Sequence, residues 1–193
     1  MHFAIAQLRG SECGAKCPRV IVADGVIEPD TPDVFLAFAR SAAEQSGLRG
    51  VVFLNSPGGN VVASMELGNL FRRLRIAAVV ASFGNMGAYS GPVSGECASA
   101  CVYAMMGAVK RVAPSTSRVA LHRMSLPAGQ DHMPLAGQPR FADPHLVGVV
   151  AKYAQRMGVN PVVVRLAESL QPGTVYEMSQ SQMSAWRLAT SRF

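Results

Sequence analysis

The chain has 193 residues, enough for one domain with a sizeable buried core. Hydrophobic residues make up 49% and charged residues 16%, which excludes an intrinsically disordered chain. The formal charge of +6 is scattered over small groups such as Arg72-Arg73, Lys110-Arg111 and Arg187 with Arg192, and no basic stripe interleaved with aromatics argues for nucleic acid.

The apolar runs are too short to span a bilayer, so no transmembrane segment is expected. Met1 to Gly10 has no basic n-region and no adequate apolar core, so it does not read as a signal peptide. A cytoplasmic location follows by default, and an exported or periplasmic one if a leader was removed. Residues 1–18 read as an N-terminal, flexible segment ahead of one domain over 19–193. The low charged fraction fits either a large α/β core or apolar surface buried against another subunit.

Arg19 to Ile27 is a β-branched run and predicts a buried strand. Thr31 N-caps a helix with Pro32 at its first position, and the apolar spacing carries that helix towards Gly47. Gly50 to Leu54 is a second strand, broken by Ser56-Pro57-Gly58-Gly59; Val61 to Leu74 is a second helix and Ile76 to Ser82 a third strand. Phe83 to Glu96, with four glycines, reads as a loop with a short edge element. Ala98 to Met106 is a compact apolar helix, followed by strands at Val109–Ala113 and Arg118–His122. Met124 to Asp143 is a long aperiodic stretch rich in proline, which marks it as functional, mobile or interfacial. Helices then open at Asp143-Pro144 and Asn160-Pro161, with a short strand at Thr174–Met178 and helical turns over Ser181–Leu188. This alternation predicts parallel βαβ units, a single α/β domain.

The four cysteines form two i,i+4 pairs, Cys13/Cys17 and Cys97/Cys101. Neither spacing is that of a zinc site, and the histidines are spread out, so no metal is expected. Cys97 and Cys101 read as small buried residues flanking Ser99 rather than as a disulfide; for Cys13 and Cys17 disulfide and free thiols stay open.

Three segments carry chemistry. Ser99, among small residues at the head of an apolar helix, is a candidate nucleophile whose alkoxide a helix N-terminus would favour. His122, closing a strand, is a candidate base. Gly58 and Gly59 are candidate oxyanion donors, with the N–H of Ala100 a second source. Ser94 is a rival nucleophile that ranks behind Ser99, Lys110 a discounted Ser-Lys partner, and Asp131 and Asp143 turn or cap residues.

Asn55-Ser56-Pro57-Gly58-Gly59-Asn60, Cys97-Ala98-Ser99-Ala100 and Arg118-Val119-Ala120-Leu121-His122 together resemble the ClpP/crotonase superfamily, specifically the Clp-protease-like serine peptidases. The resemblance covers about residues 19–190, and the cysteine-bracketed serine is most similar to an uncharacterised bacterial subgroup. It implies repeated ββα units with a mainly parallel sheet, a serine-type peptide hydrolase acting on peptides or unfolded protein, no cofactor, and a homo-oligomer with contacts through Asp143–Met157. The segment Met124–Arg140 stands where the family has its handle, and its prolines argue against a stacked double ring. The family's orienting aspartate is missing from Pro172–Ser179. Glu177 is the nearest carboxylate; Thr174 or a backbone carbonyl is the alternative. A Ser-His dyad, a triad with Glu177 and an inactive binding or assembly module are therefore all open. Crotonase-like acyl-CoA chemistry is a further alternative.

Overall fold

The computed structural model describes residues 1–11, 13, 16–44, 46–126 and 140–192. From the N-terminus, β1 (His2–Gln7) and β2 (Arg19–Asp24) lead to helix α1 (Thr31–Ala42), β3 (Leu48–Asn55), α2 (Val61–Arg73) and β4 (Ala77–Val80). The hairpin β5 (Ser82–Met86) and β6 (Tyr89–Val93) follows. Next come β7 (Glu96–Ala98), α3 (Cys101–Gly107), β8 (Lys110–Val112) and β9 (Arg118–Leu121). Short strands β10 (Ser125–Leu126) and β11 (Arg140–Phe141) pair with each other. Helices α4 (Pro144–Arg156) and α5 (Val162–Ser169), strand β12 (Tyr176–Glu177) and helix α6 (Gln180–Ala185) complete the domain.

The main sheet has the order β1-β2-β3-β4-β8, parallel except for the antiparallel edge β1. A second sheet, β12-β9-β7, pairs β7 parallel to β9 and β12 antiparallel to it. The two sheets are stitched where β3 runs on: Ser56 N–H donates to the Glu96 carbonyl at 2.7 Å, and Ala98 N–H to the Ser56 carbonyl at 3.0 Å. This stitch brings the C-terminal ends of β3, β7 and β9 together, the edge at which α/β folds gather their sites. The α/β class with a mainly parallel sheet, expected from the alternation of strand and helix, is the one observed.

Helix α2 starts cleanly because Asn60 Oδ1 accepts the Ala63 N–H at 2.9 Å. Its buried face includes Leu67 and Phe71, and Phe71 meets Phe35 of α1 edge-on at 5.2 Å. Helix α3 is buried at every residue. It lies against α2 at backbone contact: a Cβ on Gly107 would collide with the Gly68 main chain, and one on Gly68 with the Tyr153 hydroxyl. Only glycine permits that approach.

Several local expectations are corrected. The N-terminal segment is not all apart from the domain, since His2–Gln7 forms β1 in full register with β2. The glycine-rich stretch after β4 is a two-stranded hairpin turning at Gly87-Ala88, with Gly87 at φ 64°. Thr31 does not cap α1: Asp30 is the cap residue, and the Thr31 Oγ1 accepts the Glu28 N–H at 2.9 Å. The helix expected from Ala98 begins only at Cys101, because Ser99 is left-handed. Much of the long aperiodic stretch, with Asp131, lies outside the described residues.

Candidate active site

Ser99 occupies the turn between β7 and α3. Its φ of 54° puts it in the left-handed region, which costs a non-glycine residue about 1–2 kcal/mol. Three restraints hold it there. Its N–H donates to the Ala120 carbonyl at 2.9 Å, tying the turn to β9. Its carbonyl accepts the Val102 N–H at 3.1 Å, starting α3. A disulfide between Cys97 and Cys101, with Cα atoms 5.3 Å apart, closes the loop around it. This corrects the expectation of two free buried thiols: an i,i+4 pair within one helix is hard to bridge, but here the serine turn separates the cysteines. Cys13 and Cys17 are also joined, at a Cα separation of 4.7 Å.

The glycine turn packs directly on Ser99. Gly58 and Gly59 have φ of 108° and 141°, open only to glycine without strain. A Cβ on Gly58 would fall 2.8 Å from Ser99 Cβ and 3.0 Å from the Ala100 nitrogen. Gly58 N–H is occupied, donating to Ser56 Oγ at 3.1 Å. Among the described residues no acceptor meets the N–H of Gly59 or of Ala100. Of the three expected donors, two are therefore open and the third orders the turn. Ser56, buried to 1% exposure, directly precedes the Pro-Gly-Gly run, and its role in ordering the turn has no signal of its own in the sequence.

His122 follows β9 and is half-buried. The β7/β9 register, Ala98 opposite Ala120, brings it to the same end of the sheet as Ser99. Its Nδ1 lies 2.7 Å from the Arg123 carbonyl oxygen. A carbonyl only accepts, so this contact selects the Nδ1–H tautomer and leaves Nε2 as the basic nitrogen. No hydrogen bond joins Ser99 Oγ to His122 among the described residues.

Glu177 is not turned to His122. It pairs opposite Ala120, and its Oε2 accepts from Arg118 Nε at 3.3 Å with the side chain 64% exposed. Arg118 also binds Glu96 at 2.6 Å, so Glu177 belongs to an outer ionic chain. Thr174 is exposed in the turn before β12. The rival Ser94 donates its hydroxyl to the Thr116 carbonyl at 2.8 Å. Lys110 stands on β8 of the other sheet, and Asp143 caps α4 through the Leu146 N–H at 2.7 Å.

One largely enclosed carboxylate does reach the histidine segment. Glu168 on α5 accepts the Met124 N–H at 3.0 Å and lies 3.9 Å from Arg123 Nε, with its side chain 14% exposed. No local signal marks it, since it lies 44 residues beyond Met124, on helix α5. Burial, then the charge of Glu168, pushes the Tyr103 phenol of α3 far above its ordinary range. On the far side of the core, burial lowers the Arg111 guanidinium to about 10; it donates to the carbonyls of Met106, Ala108 and Leu188. A cavity of about 400 Å³ opens beside the glycine turn, lined by Val26, Ile27, Gly59, Val61, Val62 and Leu146 among others. Among the described residues no three His, Cys, Asp or Glu side chains converge to hold a metal, and no helix is long and apolar enough to cross a membrane.

The chain has a Clp-protease-like α/β fold. Two solved structures of the 1510-N membrane-bound stomatin-specific protease are similar to it. A serine-to-alanine mutant has TM-score 0.58 and 16% identity, covering 87% of this chain and 75% of that one. A lysine-to-alanine mutant in complex with a substrate peptide has TM-score 0.58 and 17% identity, covering 87% and 71%. Likeness at this identity shows the fold alone. No protein-family model matches the chain, and no curated protein matches it.

Proposed function

We propose that the chain is a serine peptidase in which Ser99 is the nucleophile and His122 the base. The observation that carries this reading is the left-handed Ser99 turn packed on Gly58, with the Gly59 and Ala100 N–H groups left without acceptors. Ser99 Oγ bonds to the substrate carbonyl carbon while its proton passes to His122 Nε2. The carbonyl π pair moves onto oxygen, which the Gly59 and Ala100 donors stabilise by about 3 kcal/mol each. Collapse breaks the C–N bond, and the leaving amine takes the proton from His122; water then repeats the cycle on the acyl-enzyme.

The two solved structures described above are of a protease, one of them in complex with a substrate peptide, which supports a peptide as substrate. Glu177 has no part in this reading, since its carboxylate is engaged by Arg118. Self-association through α4, whose Val149 is 39% exposed, belongs to the same proposal. The test is labelling with a fluorophosphonate. An adduct at Ser99 that is lost in Ser99→Ala and slowed in His122→Ala supports the reading, and no adduct on the folded chain overturns it. The missing hydrogen bond between Ser99 and His122 favours, as the second reading, a silent assembly module, which predicts that null result.

A further inference from the structure

The carboxylate missing from the expected third position has a counterpart one peptide unit removed from the histidine. The C=O that holds His122 Nδ1 at 2.7 Å belongs to Arg123, and the N–H that Glu168 holds at 3.0 Å belongs to Met124. These two groups are the opposite ends of a single planar amide. We infer that Glu168 is a positioning residue for His122, acting through the Arg123–Met124 peptide. This rests on the reading of His122 as the base.

The physical argument has two parts. Geometrically, the imidazole is only as well oriented as the carbonyl it binds, and that carbonyl turns with its amide plane. Glu168 holds that plane at its N–H end. Glu168 Oε1 takes its N–H, and Glu168 Oε2 faces Arg123 Nε at 3.9 Å. The flanking chain is held as well: the Arg123 guanidinium lies 4.2 Å over the Phe141 ring, and in the next peptide unit the Met124 carbonyl accepts the Ala142 N–H at 3.1 Å. Electrostatically, a carboxylate on the N–H side polarises the amide and makes its oxygen a stronger acceptor, as in any chain of hydrogen bonds. The negative charge then stabilises the imidazolium that forms when Ser99 gives up its proton, at longer range than in a direct triad. The side chain is nearly enclosed, so solvent screens it little.

The experiment uses the full chain labelled with 15N-histidine, comparing wild type with Glu168→Ala, Glu168→Gln and Glu168→Asp. The tautomer of His122 is read from its ring 15N shifts, and Ser99 reactivity from the fluorophosphonate labelling rate. Wild type is expected to hold a single Nδ1–H tautomer. Glu168→Ala is expected to mix the two tautomers and slow labelling about 10–100-fold, the usual cost of losing a supporting hydrogen bond. Glu168→Gln, which keeps an acceptor for the Met124 N–H but no charge, is expected to keep the tautomer while still labelling more slowly. Glu168→Asp is expected to recover part of the rate. The inference is overturned if the tautomer signal and labelling rate of Glu168→Ala match wild type, or, where that variant does not fold, if Glu168→Gln labels as fast as wild type. Should wild type itself not label, the serine-peptidase reading fails, and the tautomer in the Glu168 variants still decides whether the carboxylate orients the ring.

Discussion

Gly58 packs so closely on Ser99 that a single added carbon on Gly58 would fall 2.8 Å from Ser99 Cβ and 2.8 Å from the Ala98 carbonyl oxygen. The glycine turn and the serine turn are thus shaped against each other. Gly58→Ala adds a contact that only main-chain movement relieves, at a residue with φ 108°. We expect a destabilisation of about 1–3 kcal/mol from the backbone conformation alone, together with loss of fluorophosphonate labelling. Thermal melting and labelling of the same preparation check both. A Gly58→Ala chain that labels at the wild-type rate rules out the glycine turn as part of the site.

Strain at Ser99 predicts a trade between reactivity and stability. Ser99→Gly relieves a left-handed conformation that Ser99→Ala keeps. The glycine variant is expected to be about 1 kcal/mol more stable than the alanine variant, a rise in Tm of about 2–4 °C for a chain of this size. Equal melting temperatures would mean that the turn is not held in that conformation in solution.

The Cys97–Cys101 bridge restrains the same turn. Reducing it, or replacing both cysteines by alanine, releases a small loop worth about 2 kcal/mol by chain entropy. Labelling of Ser99 is expected to slow, because the free turn leaves the strained geometry. The Cys13–Cys17 bridge, remote on the segment between β1 and β2, serves as the control. Its removal is expected to leave the labelling rate unchanged. Identical rates in both double-alanine variants would separate the clasp from reactivity.

Tyr103 sets an alkaline limit. Its phenol stays protonated in the folded chain well above pH 10, the ordinary value at which the unfolded chain releases the proton. The unfolded state therefore binds fewer protons, and this contribution to stability, complete below pH 10, declines as pH rises beyond it. The slope is about 1.4 kcal/mol per pH unit for this one group. Tyr103→Phe lacks it, so denaturant melts at pH 9 and pH 11 are expected to differ less in the variant than in wild type. Parallel pH dependence in the two proteins contradicts the assignment.

What was legible in the sequence follows from how local each signal is. Strand β3, the Asn60-capped α2 and the Ser99 and His122 segments are marked by short-range patterns, and the structure brings Ser99, Gly58, Gly59 and His122 to one sheet end. The β5–β6 hairpin was hidden because its glycines and Pro92 lower strand propensity, whereas tight turning and pairing within the hairpin favour it. The Cys97–Cys101 bond is not legible because the sequence pattern predicts a continuous helix from Ala98, and the left-handed serine interrupts that helix. Glu168 was invisible for a different reason: its relation to His122 exists only through a tertiary contact with the intervening peptide. Glu177, chosen for its nearness along the chain, is engaged by Arg118 instead.

The touching glycines of α2 and α3 have a mechanical consequence. Gly59 precedes the first turn of α2 and Ala100 precedes that of α3, so the two open donors ride on the ends of two rods crossed at Gly68 and Gly107. A methyl group at that crossing acts as a wedge. It spreads the rods, and the lever arms carry the displacement to the donors. Gly107→Ala is therefore expected to slow fluorophosphonate labelling of Ser99 from the far end of the site, without altering any group that would meet a substrate, and an unchanged labelling rate on a folded variant would show that the crossing does not act as a fulcrum.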